Sequence, residues 1–104
     1  MTTSAFGERT RLHMQTHQTG VSDQLTEEDR NPINIPIIVF YDSDTKILEV
    51  WCDNDNIQGE VYVYDEAGTL EVYSPYMNVC LTLTTSNYHS ILMKGDGWEA
   101  EGYF

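Results

Sequence analysis

Glu60-Val61-Tyr62-Val63-Tyr64-Asp65-Glu66-Ala67-Gly68-Thr69-Leu70-Glu71-Val72-Tyr73-Ser74 is the stretch that decides the fold. Valine and tyrosine alternate ahead of Asp65-Glu66-Ala67-Gly68, and Leu70 and Val72 alternate with Glu71 and Tyr73 after it. Period-two patterning on both sides of turn residues is what a hairpin of half-buried strands requires; a helix would repeat its apolar residues every three or four positions. Gly68 is free to take the positive φ that ends a type I turn. Opposing Tyr64 with Thr69 sets Val63 against Leu70 and Val61 against Val72 on an inner face. Tyr62 then lies against Glu71 on the outer one, and a slip of one residue would exchange the faces.

The pattern continues in both directions. Residues 35–41 read as a strand, 42–45 as a turn and 46–52 as the returning strand, followed by a polar loop over 53–59. After Pro75, a strand over 79–84 points Val79, Leu81 and Leu83 inward and leaves Cys80 outside with the threonines. The last hairpin turns on Asp96-Gly97, whose two-residue loop opposes Lys94 with Glu99, Met93 with Ala100, Ile91 with Gly102 and His89 with Phe104. Toward the N-terminus, residues 18–31 are polar and read as a loop. Ahead of them Thr10, Leu12 and Met14 alternate with Arg9, Arg11 and His13, a half-buried edge strand with a basic outer face. The expectation is a single all-β domain: an N-terminal segment over 1–32, with an edge strand and a polar loop, joined to a core over 33–104. Seven strands, or eight with the edge strand, fit an antiparallel Ig-like β-sandwich.

Composition bounds what such a domain can do. The 104 residues suffice for one core. Seventeen acids against five bases give a net charge of −12, which repels phosphate backbones and anionic lipid, so nucleic acid and bare membrane are poor partners. Twelve of those acids fall in 33–104, with two lysines. The longest apolar run, 35–41, is broken by Pro36 and is far short of the roughly 20 residues of a spanning helix. Met1-Thr2-Thr3-Ser4 does not read as a signal peptide, leaving a cytoplasmic protein or a replaced leader. Cys52 and Cys80 could form at most one bridge, and neither has a CxxC neighbour or a histidine at metal-ligand spacing.

Three stretches carry a further resemblance: Arg30-Asn31-Pro32-Ile33-Asn34-Ile35-Pro36, then Gly59-Glu60-Val61-Tyr62-Val63-Tyr64-Asp65-Glu66-Ala67-Gly68, and Gly97-Trp98-Glu99-Ala100-Glu101-Gly102-Tyr103-Phe104. Together they resemble an Ig-like domain-of-unknown-function family of small secreted proteins from Bacteroides-like gut bacteria, in which residues 10–14 would be the first strand. The chain departs from that pattern at Asn87-Tyr88-His89, where such domains commonly have Gly-x-Tyr. The resemblance implies an antiparallel β-sandwich, export by a removed signal peptide to an extracytoplasmic compartment (periplasm, cell surface or secreted), and no assigned catalytic residues.

Most constellations are explained without chemistry. Asp53-Asn54-Asp55-Asn56 resembles a cation loop until Ile57 occupies a ligand position and Gly59 falls one residue late; Asp42 and Asp44 belong to a turn. His13 and His17 lack a third ligand, so no metal site is assigned. His89 beside Ser90 has no nucleophile elbow or partner acid and reads as a partly buried strand residue. No catalytic residue and no cofactor is expected.

Two surfaces stand out. In residues 36–52, Ile37, Val39, Leu48, Val50 and Cys52 face inward, yet Ile38, Phe40, Ile47 and Trp51 make the opposite face apolar too. That face needs a cover: the N-terminal segment, another strand or a separate molecule, making these four the candidate protein contacts. Tyr62, Tyr64 and Tyr73 share one outward face and are the candidate carbohydrate contacts. The functional expectation is a non-enzymatic exported module that binds protein, as a partner or a second copy, or adheres at the bacterial envelope. The alternative is a carbohydrate-binding module.

Overall fold

The computed structural model describes residues 9–19, 35–85 and 88–104, arranged as two antiparallel sheets with no helix among them. The expected polar loop over 18–31 lies almost wholly outside those residues, as do Arg30 to Asn34 of the resemblance. Nine strands are present among the described residues: β1 (Arg9–Arg11), β2 (Gln15–Gln18), β3 (Ile37–Asp42), β4 (Ile47–Cys52), β5 (Gly59–Tyr64), β6 (Leu70–Ser74), β7 (Val79–Thr82), β8 (Ser90–Gly95) and β9 (Trp98–Tyr103). One sheet has the order β1-β3-β4-β7 and the other β2-β9-β8-β5-β6, which is a β-sandwich.

The two inner faces supply the core. Val39, Leu48 and Val50 from the first sheet and Val61, Val63, Ile91, Met93 and Ala100 from the second are essentially without solvent contact. Their alternation along each strand is the reason these segments are strands, since burying one face is the dominant favourable term and only a period of two presents one face. Cys52, Leu83 and Trp98 complete the layer. The β3–β4 register pairs Val39 with Val50 and Tyr41 with Leu48, and the inward set is the one read from sequence. The β8–β9 hairpin likewise pairs Lys94 with Glu99, Met93 with Ala100 and Ile91 with Gly102; Gly97 has φ +80°, and His89 and Phe104 exchange backbone hydrogen bonds beyond the strand ends.

The β5–β6 hairpin differs from its expected register. Val63 opposes Val72, Val61 opposes Ser74 and Tyr62 opposes Tyr73, while Tyr64 opposes Leu70. Two local features shift it. The loop closes on Asp65 and Thr69, with Gly68 at φ +84° and the Asp65 carboxylate accepting the N–H groups of Ala67 and Thr69. A bulge then sets Glu71 and Val72 together against Val63, the two-against-one arrangement that re-aims a side chain. Leu70, expected inside, is 48% exposed, and Glu71, expected outside, turns inward with its side chain 10% exposed.

The N-terminal segment is a crossing, not one edge strand. β1 pairs with β3 in the first sheet, Leu12 and Met14 pass over the end of the core, and β2 pairs with β9 in the second. Leu12 is buried as expected, whereas Thr10 is exposed. β2 is the strand the periodicity missed: Gln15-Thr16-His17-Gln18 has no apolar residue, and the ladder to β9 and a 3.3 Å contact of His17 with Glu99 hold it. Among the described residues no helix is long and apolar enough to cross a membrane.

Candidate functional site

Ile38, Phe40, Ile47 and Trp51 are brought together as an apolar band on the outside of the four-stranded sheet, with Ile38 directly opposite Trp51. None belongs to the buried core, and Trp51 is 37% exposed. Part of the required cover comes from the chain itself. β1 runs beside β3 and sends the Arg9 guanidinium 4.5 Å above the Phe40 ring, where it also donates to both Glu49 oxygens at 3.0 and 2.9 Å. The Trp51 indole N–H donates to Glu49 at 3.3 Å. The Arg9 hydrogen bond holds the Glu49 carboxyl below its ordinary range, with the Trp51 N–H assisting. The charged pair therefore lies within the band, with Glu49 between Ile47 and Trp51 on β4 and opposite Phe40 on β3.

Beside this band lies the edge of β7. Leu83 N–H bonds to the Lys46 carbonyl, so in an antiparallel ladder the backbone groups of Leu81 and Leu83 face β4 and those of Cys80, Thr82 and Thr84 face away. The Thr84 N–H is taken by Glu71 Oε2 at 2.7 Å. Cys80 and Thr82 remain with backbone groups turned outward. Among the described residues the other three edges carry protection that β7 lacks: two arginines on β1, the wholly polar side chains of β2, and the bulge at Glu71 on β6. Cys80 is exposed across from Glu49 on the outer face and Cys52 is buried on the inner one, so both thiols are free and a bridge between them is excluded by the sheet.

Tyr62, Tyr64 and Tyr73 share the outer face of the five-stranded sheet, as expected, but in different company. The Tyr62 and Tyr73 rings lie 5.0 Å apart and tilted by 48°, with the Lys94 ammonium 5.9 Å from Tyr62. The Tyr73 hydroxyl donates to Glu60, and that bond, reinforced by burial, pushes the phenol up to about 12. Tyr64 stands one row away, between Leu70 and Ser90.

Sequence reasoning missed a third grouping. The bulge aims Glu71 at Thr84, Thr85 and His89: the Thr85 hydroxyl donates to Oε1 at 2.6 Å, and His89 Nε2 lies 3.2 Å from the same oxygen and 2.7 Å from the Thr85 hydroxyl. Burial pushes the Glu71 carboxyl up, but the bonds from Thr85 and Thr84 and the field of His89 outweigh it and hold the group at about 2. His89 is 3% exposed, fully inside and not partly buried, stacked on Phe104 at 5.0 Å and near Tyr41. Hydroxyl, imidazole and carboxylate do not stand in the order that activates a nucleophile. Carboxylate and hydroxyl crowd the same ring nitrogen, and Nδ1, which an orienting acid would hold, has no partner among the described residues. The cluster instead ties β6, the approach to β8 and the C-terminal strand together. Alternation gave no signal for it, since an unbulged strand places Glu71 on the outside.

The loop over 53–59 is local: Asn54 accepts from Asn56 through its side chain and from Ile57 through its carbonyl. Asp42 accepts from the N–H groups of Asp44 and Thr45. Among the described residues no three His, Cys, Asp or Glu side chains gather in a way that could hold a metal. In comparisons with known proteins, no family model, curated protein or solved structure matches the chain.

Proposed function

We propose that this protein is a non-enzymatic, exported Ig-like module that works by protein contact at the bacterial envelope, and that its first partner is a second copy of itself. The observation that carries the reading is the unprotected β7 edge beside the apolar band of Ile38, Phe40, Ile47 and Trp51. Antiparallel pairing of two β7 strands about Leu81 sets Cys80 against Thr82 of the other copy, and every outward backbone group of both residues finds a partner. Such a contact is isologous, as a two-fold dimer requires. The edge is locally neutral, since Glu49 is paired with Arg9 and Glu71 is turned inward, which lets two chains of net charge −12 approach there. Edge pairing also joins two apolar bands into one larger surface available for adhesion. Export and the envelope rest on the family resemblance of the sequence.

Size exclusion with light scattering over a concentration series tests this. The native chain dimerises as concentration rises, and Thr82→Pro, which removes an outward N–H without touching the β4 ladder, stays monomeric with an unchanged circular dichroism spectrum. A strict monomer at every concentration, with Trp51 emission insensitive to dilution, overturns the reading.

Carbohydrate binding on Tyr62, Tyr64 and Tyr73 is supported by their shared outward face. The 48° tilt of the first pair makes a kinked platform for a sugar ring, and this reading ranks second. A glycan array without signal removes it.

A further inference from the structure

In a chain with 17 acids, basic side chains are expected to find carboxylates, and among the described residues most do: Arg9 meets Glu49, His17 and Lys94 meet Glu99, and His89 meets Glu71. Arg11, His13 and Lys46 make no such pair among the described residues. Two of those three, Arg11 and His13, line the same cleft. It opens where the chain crosses from β1 to β2, encloses about 740 Å³, and has no aspartate or glutamate among the described residues of its lining. Four aromatic residues from separate parts of the chain also line it, beside Thr10, Leu12 and Ser43: Tyr41 at the end of β3, Tyr88 ahead of β8, Tyr103 on β9, and Phe104. Tyr88 and Tyr103 are 78% and 74% exposed, so their rings stand at the mouth, whereas Tyr41 and Phe104 pack against one another at 4.6 Å.

We propose that this cleft binds a small carboxylate carried on a six-membered ring, its anionic group taken by Arg11 and His13 and its ring laid against the four aromatic side chains. The volume falls within the roughly 300–1,000 Å³ of small-molecule sites, and the wall has their usual composition, apolar and aromatic with a few convergent polar groups. A guanidinium matches a carboxylate with two parallel N–H donors, an arrangement a neutral hydroxyl cannot repay. Arg11 has no carboxylate partner among the described residues, and an anionic ligand drawn to its guanidinium would supply one. The floor is preformed: the His89 ring stacks on Phe104 from behind and His89 is locked by Thr85 and Glu71, so Phe104 is held in place before a ligand arrives. The site is separate from the β7 edge and stands or falls independently of it.

The carboxylate can come from a sugar acid or an aromatic acid, and the experiment separates them. Glucuronate, benzoate, glucose and benzyl alcohol are titrated into the full chain, with heat and ¹⁵N–¹H amide shifts as readouts. At least one of the two acids binds, moving the amides of Leu12, His13 and Phe104, and its neutral counterpart binds about tenfold more weakly or not at all. Glucuronate binding assigns a sugar acid and benzoate binding an aromatic one. Arg11→Gln loses about tenfold in affinity, whereas Lys46→Gln, which removes an equal charge elsewhere, changes nothing. The amides of Ile91 and Met93 report that each variant is folded. The proposal is overturned if neither acid binds at millimolar concentration, if the neutral compounds bind as well as the acids, or if Arg11→Gln and Lys46→Gln behave alike.

Discussion

Glu71 Oε1 lies 3.2 Å from His89 Nε2, although 18 residues separate the two and alternation places the glutamate on the outside of its strand. A single inserted residue in β6 accounts for the contact. By setting Glu71 and Val72 side by side against Val63, the bulge turns a carboxylate into the end of the sandwich. There it accepts from Thr84 and Thr85 and meets an imidazole stacked on Phe104. A buried charge is tolerated only when such bonds replace its water, so bulge and cluster require one another.

Acid should therefore destabilise the protein through this group. Glu71 is held at about 2, against roughly 4.3 for an unfolded glutamate. A depressed carboxyl stabilises the fold above the unfolded value and loses that contribution as pH falls toward the folded one, here between about 4.3 and 2. The contribution at neutral pH is at most roughly 3 kcal/mol. Urea denaturation of the native chain and Glu71→Gln at a series of pH values should show a gap of roughly 2 kcal/mol at pH 7 that closes across that window. A gap independent of pH would show that Glu71 stabilises by shape alone.

How much of this was legible depended on where one residue fixes the register. Asp96-Gly97 admits essentially one two-residue loop, and every pair of the last hairpin followed from it. The apolar band of Ile38, Phe40, Ile47 and Trp51 was legible because parity alone assigns faces once residues 37–52 are read as two strands. The β5–β6 register was not, since a bulge is invisible to a period-two template that assumes no inserted residue. β2 was silent for another reason: Gln15-Thr16-His17-Gln18 buries no apolar side chain, so hydrophobic patterning has nothing to register. The Arg9 cover over Phe40 and the aromatic cleft are products of the β1–β2 crossing and of residues distant in sequence, which no local pattern joins.

Trp98 packs its indole against backbone, and two glycines make room for it. A Cβ built on Gly95 would fall 2.1 Å from Trp98 Nε1, whereas one on Gly68 would meet nothing within 4 Å. Gly95→Ala should cost roughly 2–4 kcal/mol by displacing a side chain that is 4% exposed. Gly68→Ala should cost only about 1 kcal/mol, for its positive φ. Thermal unfolding of the two variants checks the order, and a reversed order would contradict the Trp98 packing.

The two thiols should differ as sharply in reactivity. Cys80 is exposed and Cys52 is 5% exposed beneath the first sheet. A maleimide added to the folded chain should modify one thiol, mapped to Cys80 by mass spectrometry, and a second only after denaturation. Equal labelling of both in the native state would mean that β4 opens readily. Reducing agent should leave the stability unchanged, because no bridge joins them.

Tyr73 offers a measurement of the outer aromatic face. Its hydroxyl donates to Glu60, a bond lost when the phenol ionises, and the resulting phenolate would face the carboxylate; ionisation is accordingly delayed to about 12. Ultraviolet titration of the phenolate band should show a late-ionising component in the native chain. Tyr73→Phe should remove it, and Glu60→Gln should move it back toward the ordinary tyrosine value near 10 by removing the carboxylate charge. Tyr62 lies beside both residues and is raised as well, first by burial and then by Glu60, so Glu60→Gln should advance two tyrosines where Tyr73→Phe deletes one. A titration of Glu60→Gln that superimposes on the native curve would mean that Glu60 does not hold the Tyr73 hydroxyl in solution, and the tilted ring pair would lose its anchor.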